Sequence, residues 1–403
     1  MKIAITGASG FVGRELVPLL HRAGIDLLLL GRDAAALQRV FPDLPVCQSD
    51  ALIEKGVGCD LLLHLAARNN NQPGFQAEFD AVNVDLTLET MQAAKAAGIP
   101  RFVYVSSIHA LDPSNRSAYA ESKRRGAASL QAAAEGIDLS VLYLPSVQGQ
   151  RFAGRLAPLN RLPPILRRPA FHLLAALRPT VSIDRIAAYL LSGAPNGEDG
   201  RLILTDAQKG NHVYAAAMRL VDYAFALTIL LAFWWVLLAS WAAVKRDSPG
   251  PGLFGQPRIG RSGKVFTCWK FRTMQVGTAQ AGTHEVSPTS VTKVGAFLRR
   301  TKLDELPQVW NILRGEIALI GPRPCLPVQT TLIAERQKRG VLDILPGISG
   351  LAQVEGIDMS DPVRLARRDA DYVALRGILP DIRLILRTAR GGGQGDRVQT
   401  TAM

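Results

Sequence analysis

The chain opens on a short apolar run, K-I-A-I-T (residues 2–6), with the continuous hydrophobicity of a buried strand. A glycine-rich turn follows, G-A-S-G-F-V-G, and then apolar residues at helical spacing through about Ala23. A second strand run, Leu27 to Leu30, ends in Gly31-Arg32-Asp33, and a later one, F-V-Y-V, leads into Ser106-Ser107. Strands alternating with helices predict an α/β domain built on a doubly wound parallel sheet. The pattern changes at Tyr223: from there to Val244 no residue is charged. At about 1.5 Å per residue, a helix of that length reaches across a bilayer core. Helical periodicity returns at Leu306, Val309, Trp310 and Leu313, spaced i, i+3, i+4, i+7, with Gly315 as a stop. Pro307 is tolerable only in the first turn of such a helix, which puts Asp304 at or near its N-cap. These shifts divide the chain into a first domain (1–207), a linker and membrane helix (208–247), a small second domain (248–390) and a glycine-rich, polar tail (391–403) expected to be disordered.

A chain of 403 residues suits two domains. Its net charge of +13 and isoelectric point near 9.9 call for anionic partners. The basic residues do not interleave with aromatics as in nucleic-acid-binding motifs, so nucleic acid is not expected. An anionic membrane surface and phosphate-bearing ligands account for the excess as well. Cys47, Cys59, Cys268 and Cys325 lack metal-ligand spacing, which fits a reducing cytosol. The chain enters a strand directly, so no secretory signal is expected.

Gly7, Gly10 and Gly13 lie between a strand and a helix, where glycines let the backbone approach a pyrophosphate held at the helix N-terminus. Arg32 stands about where an acid would accept a ribose 2′-hydroxyl, which favours NADP over NAD, with Asp33 beside it tempering that preference. Tyr119 and Lys123 are one helical turn apart on one face, where an ammonium can lower a phenol pKa for proton exchange with a sugar hydroxyl or ketone. With H-L-A-A (64–67), Asn83 in V-N-V-D, Ser106-Ser107 and Y-A-E-S-K (119–123), this half resembles the extended short-chain dehydrogenase/reductases of the nucleotide-sugar epimerase/dehydratase branch, which have a Rossmann-like fold. The resemblance implies Tyr119 as acid/base, Lys123 as its tuner and Ser107 as a holder of the substrate oxygen. It also implies Asp50, Ala66 and Asn83 as cofactor contacts. The family's longer substrate lobe is missing, and the basic stretch Arg161 to Pro179 reads as a shortened lobe or membrane-facing loop.

In the second half Asp304 and Glu305 stand among Arg299, Arg300, Lys302 and Arg323. A carboxylate pair in a cationic pocket suits chemistry on a pyrophosphate. The ordered segments S-P-G-P (248–251), K-F-R-T-M (270–274), L-D-E-L-P-Q (303–308), G-P-R-P (321–324) and P-G-I-S-G-L-A-Q-V (346–354) resemble the bacterial sugar transferases, monotopic phosphoglycosyl transferases that load a polyprenyl phosphate. The resemblance covers roughly Arg219 to Thr388. It implies a phospho-aspartate on Asp304, assistance from Glu305, Mg²⁺ at the pair, and phosphate oxygens held by Arg299 and Arg323, with Lys270 and Arg272 as further candidates.

The combined expectation is a bifunctional enzyme at the cytoplasmic face of the bacterial inner membrane. Its second half passes sugar 1-phosphate from a UDP-sugar to undecaprenyl phosphate, and its first half reduces or epimerises a nucleotide sugar with NADP or NAD. A non-catalytic nucleotide-binding first half is the alternative, and homo-oligomerisation is left open. Cytosolic substrates for both halves imply a re-entrant rather than a spanning helix. Many relatives break that helix with Ser-Pro, where this chain has Trp234-Trp235.

Overall fold

The computed structural model describes residues 1–70, 72–152, 154–278 and 290–392. The expected tail lies mostly outside the described residues. The chain forms two compact units: residues 1–171 with 179–209, and residues 172–178 with 210 onward.

The first unit is organised by one parallel sheet of seven strands: β1 (Lys2–Thr6), β2 (Asp26–Gly31), β3 (Val46–Gln48), β4 (Leu61–His64), β5 (Arg101–Ser107), β6 (Asp138–Leu144) and, after the small parallel pair β7 (Ser146–Gln148) and β8 (Thr180–Ser182), β9 (Arg201–Ile203). The order β3-β2-β1-β4-β5-β6-β9 reverses direction between β1 and β4. Side chains alternate across the central strand. Ile3 and Ile5 enter one apolar layer with Leu16, Leu20, Leu29 and Ile186, while Ala4 enters the other with Leu62, Met91, Phe102 and Leu130. A strand covered on both faces must be apolar throughout, which is why K-I-A-I-T lacks a polar alternation. The helices of this half are α1 (Phe11–Arg22), α2 (Ala34–Val40), α3 (Leu52–Lys55), α4 (Gln76–Asp80), α5 (Leu86–Ala96), α6 (Ala118–Ala132), α7 (Pro164–Leu177), whose residues from 172 belong to the second unit, and α8 (Ile183–Leu191). The stretch Arg161 to Pro179, expected as a loop or a shortened lobe, contains a full helix, α7, whose Phe171 stacks on Phe152 at 5.4 Å between ring centroids.

In the second unit the uncharged run is two helices rather than one. The first, α9 (His212–Ala232), starts well before Tyr223, and the second is α10 (Trp234–Asp247). Phe233 lies between them at φ −116°, ψ 19°. No proline makes the break. It falls beside the Trp234-Trp235 pair, and the Phe233 amide still reaches the Ile229 carbonyl at 3.1 Å. Both arms pack on the same unit: Ala226 joins Val309, Ile312 and Ile317, and Val244 joins Phe271 and Leu298. The remaining elements are the antiparallel hairpin β10 (Leu253–Ile259) and β11 (Val265–Phe271), α11 (Lys293–Thr301), α12 (Val309–Leu313), the parallel pair β12 (Ala318–Ile320) and β13 (Gly347–Ser349), α13 (Thr330–Lys338), α14 (Leu351–Val354), α15 (Pro362–Leu375) and α16 (Ile378–Ala389).

Candidate functional site

The acidic pair of the second unit sits in a 3-10 turn, Leu303–Gln308, between α11 and α12. Lys302 ends α11 in the left-handed conformation (φ 58°), so the chain reverses at once and aims Asp304 and Glu305 inward. Asp304 therefore occupies the first turn of a 3-10 segment, not the N-cap of a long helix; the true helix, α12, starts five residues later, and Gly315 ends it at φ 73°. The tighter turn accommodates Pro307 and brings consecutive carboxylates to one wall.

Glu305 Oε1 accepts from Lys270 Nζ at 2.9 Å and from Arg323 Nη2 at 2.8 Å. Burial alone would raise the Glu305 pKa, but these two cations outweigh it and hold the group well below the ordinary carboxylate range. Asp304 is buried, and its carboxylate carries no hydrogen bond among the described residues. Burial and the Glu305 charge push its pKa up to about 6, against the pull of Lys270, Arg299 and Arg323. The pair is thus divided: Glu305 is a permanent anion holding two cations in place, and Asp304 is an open carboxylate beside them. Both line a cavity of about 1340 Å³, together with Lys270, Arg299, Arg323 and apolar residues such as Phe225 and Ile385.

The supports of this cluster were invisible in the motifs. Arg336 is buried and donates through Nε and Nη2 to Asp369 Oδ2 at 2.9 and 2.7 Å, while its Nη1 reaches the Arg323 carbonyl at 2.8 Å. Arg258 Nη1 holds the next carbonyl, that of Pro324, at 2.9 Å. The G-P-R-P loop is clamped from two sides, and Arg323 is aimed by that clamp. Asn311, fully buried, accepts from Trp269 N at 3.1 Å and donates to Thr267 O and Glu316 Oε2. It locks α12 to β11 next to Lys270. Of the expected phosphate holders, Arg299 donates Nε to Thr273 Oγ1 at 2.9 Å and feels Asp304. Arg272 departs from the expectation. Its guanidinium is buried and donates to the Ser248 and Pro249 carbonyls and the Ser248 hydroxyl. It fastens the S-P-G-P segment while lining the same cavity as the acid pair.

In the first unit the candidate residues gather at the C-terminal ends of the strands, beside the β1/β4 switch point. Gly7 has φ 72°, and a Cβ there would fall 2.5 Å from the Ala66 amide nitrogen; a Cβ on Gly13 would fall 2.5 Å from the Ala8 backbone. The Gly10 backbone opens α1, with no side-chain cap over its first amides. Arg32 is exposed at the end of β2; Asp33 is taken up capping α2, its Oδ1 accepting from Ala36 N at 2.8 Å. Asp50 is exposed on the turn after β3, and Ala66 is half-buried after β4.

Tyr119 lies beside the Ser107 hydroxyl. Burial raises the Tyr119 pKa and Ser107 lowers it. Lys123, the expected tuner, has partners of its own. Lys123 is buried, donates to the Val105 carbonyl at 2.9 Å, and lies 4.7 Å from the centre of the Tyr104 ring. Burial lowers its pKa to about 7. Asn83 also departs from expectation: its amide is committed to the Arg68 backbone (N at 3.0 Å, O at 3.1 Å) and to Ser122 Oγ at 2.9 Å. With no exposed surface it positions the loop after β4.

The glycine cradle fits a dinucleotide: side chains are excluded where the backbone must approach phosphate, and α1 presents its amides there. For a divalent ion the fit is narrower. Among the described residues no cluster of three or more His, Cys, Asp or Glu side chains could hold a metal. Asp304 and the second Glu305 oxygen would hold Mg²⁺ only with substrate phosphates, the manner in which that ion is commonly bound.

Residues 213–393 match the model of the family described as bacterial sugar transferase, and residues 3–170 that of the NAD dependent epimerase/dehydratase family. The UDP-glucose:undecaprenyl-phosphate glucose-1-phosphate transferase of Xanthomonas campestris is 36% identical over 191 residues, covering 44% of this chain and 39% of that protein. This chain therefore spans about two fifths of that relative's length. The uncharacterized sugar transferase EpsL of Bacillus subtilis is 33% identical over 183 residues, 45% of this chain and 90% of that one. A solved structure, MoeE5 in complex with UDP-glucose and NAD, overlaps 51% of this chain and 75% of its own at 20% identity and a TM-score of 0.39. The chain belongs to the bacterial sugar transferase family through its second half, and that half is joined to an N-terminal domain of the NAD dependent epimerase/dehydratase family.

Proposed function

We propose that the second half transfers a sugar 1-phosphate from a UDP-sugar to undecaprenyl phosphate through a phospho-aspartate. An Asp304 oxygen attacks the phosphorus bearing the sugar, and the bond to UMP breaks. An oxygen of the lipid phosphate then attacks the same phosphorus, the aspartyl ester breaks, and the lipid diphosphate sugar leaves. The observation that carries this reading is the open Asp304 carboxylate beside the Glu305–Lys270–Arg323 cluster on the wall of a large cavity. Glu305 keeps Lys270 and Arg323 oriented, and with Arg299 they meet the phosphate oxygens. Bound Mg²⁺ would supply a Lewis acid for the departing phosphate. The relatives' names support the donor and acceptor classes. UMP release from a panel of UDP-sugars is the test: at most one equivalent per chain without undecaprenyl phosphate, repeated turnover with it, and neither in Asp304→Asn; release by the variant at the native rate overturns the proposal.

The protein is assigned to the cytoplasmic face of the inner membrane, held by a re-entrant hairpin. Supporting this, both arms of the broken helix are tied to the same unit: Asp222 of α9 accepts from Leu319 N at 2.7 Å, and the Val244 carbonyl of α10 receives Arg272 Nη2 at 3.5 Å. The bend between them exposes Leu231, Phe233, Trp234, Trp235 and Leu238. The first half binds NAD or NADP and reduces or epimerises a nucleotide sugar, with Tyr119 and Ser107 at the reacting oxygen; the joining of the two halves in one chain supports the reading that the first makes the donor used by the second. The diverted Lys123 favours, as the second reading, a nucleotide-binding module without chemistry. Cofactor consumption with keto-sugar nucleotides, compared between the native chain and Tyr119→Phe, separates the two.

A further inference from the structure

The helix α7 has an outer face that nothing in the described residues covers. Ile165, Leu166 and Leu173 are 82%, 51% and 57% exposed, and the 3.6-residue period puts Ile165, Leu166, Pro169 and Leu173 on one side. The opposite side is buried through Phe171 and Ala175. The helix is therefore amphipathic twice over: one apolar face is used in packing, and a second is turned outward.

Charge says what suits that outer face. From residue 139 to residue 183 the sequence carries six arginines and no acidic residue. Arg161, Arg168 and Arg178 are exposed at the start of α7, beside its apolar stripe and at its end. Arg167 is differently occupied, donating to the Leu162 and Asn160 carbonyls. An apolar stripe bordered by unopposed cations matches the boundary between acyl chains and anionic headgroups. There the leucines enter the hydrocarbon margin and the guanidiniums meet phosphates.

We propose that α7 is an interfacial helix, lying in the plane of an anionic phospholipid surface and giving the chain a second membrane contact besides the α9–α10 hairpin. The proposal rests on the reading that the chain is membrane-held, and its test keeps the two apart.

Full-length protein is reconstituted into nanodiscs of phosphatidylcholine with or without phosphatidylglycerol, in a Cys47→Ser background because Cys47 is the only half-buried cysteine and the other three are buried. Single bimane labels are placed at Leu173→Cys, at Leu238→Cys on the hairpin, and at Val57→Cys, an exposed position far along the sequence. Doxyl-labelled lipid then reports proximity to acyl chains. Quenching is expected at 173 and 238 and absent at 57. The quenching at 173 is expected to fall several-fold without phosphatidylglycerol or in Arg161→Glu/Arg168→Glu, while that at 238 stays. Quenching at 238 with none at 173 overturns the interfacial helix and leaves the hairpin standing. Quenching at 173 that ignores both lipid charge and the arginine changes overturns the anionic recognition. Absence at both positions overturns the membrane reading itself.

Discussion

Replacing Arg336 with methionine isolates the support of the acid cluster from its chemistry. Arg336 and Asp369 are both buried, at 2% and 3% exposure, and share hydrogen bonds of 2.9 and 2.7 Å. Removing one member of a buried pair leaves an uncompensated charge and costs about 3–5 kcal/mol. The Arg323 carbonyl also loses its 2.8 Å donor. At roughly 2–4 °C per kcal/mol for a unit of this size, the second unit should melt about 10 °C lower. Removing both charges in Arg336→Met/Asp369→Leu should recover much of that loss, because no lone carboxylate remains. Proton linkage sharpens the expectation. Burial already raises the Asp369 pKa above 3.8 although Arg336 opposes it, and without Arg336 it rises further. Between 3.8 and the raised value the folded variant holds a proton that the unfolded chain has lost, so its stability falls as pH rises through that window. The deficit of Arg336→Met should therefore shrink on acidification. Thermal melting by tryptophan fluorescence, at acidic and neutral pH in detergent, reads both effects. A single variant melting with the native protein, or a deficit equal at both pH values, would refute the reasoning.

Three further outcomes are expected. Lys123 deprotonates at about 7 in the fold against 10.5 when free, so between these values the unfolded chain binds the extra proton and stability climbs with pH. Denaturant midpoints of the first unit should rise by a few kcal/mol equivalent across that range and flatten in Lys123→Met; parallel profiles would contradict this. Asn311→Ala leaves Trp269 N and the Thr267 carbonyl unpaired and should cost about 1–3 kcal/mol while raising the KM for nucleotide sugar through a loosened Lys270. Unchanged melting and KM would contradict it. Gly7→Ala combines φ 72° with a 2.5 Å approach to Ala66 and should cost about 2 kcal/mol or more and abolish NADH binding; fluorescence titration with native affinity would speak against the cradle.

What the sequence makes legible is local. The glycine turn, the strand runs and the Asp304–Glu305 pair among basic residues are each contained in a short stretch, and the fold uses them near where they are read. What it hides depends on partners distant in the chain. Arg272 belongs to a recognisable segment, but its bonds to the carbonyls of Ser248 and Pro249 cannot be read from it. Asn83 stands in a recognisable segment, but its amide bonds to Arg68 and Ser122 are not written there. Arg336 and Asp369 are separated by 33 positions and carry no motif. The uncharged run itself carries no marker of the break at Phe233, since proline and glycine are missing there; only the resemblance, which sets Trp234-Trp235 where relatives have Ser-Pro, points to it.

The most direct measurement follows phosphorus. Detergent-solubilised protein is mixed with UDP-sugars labelled at the phosphorus next to the sugar, without lipid acceptor, and the denatured chain is assayed for covalent label. Native protein should acquire label and surrender it when undecaprenyl phosphate is added, and Asp304→Asn should acquire none. Labelled lipid formed by Asp304→Asn at the native rate would contradict the account.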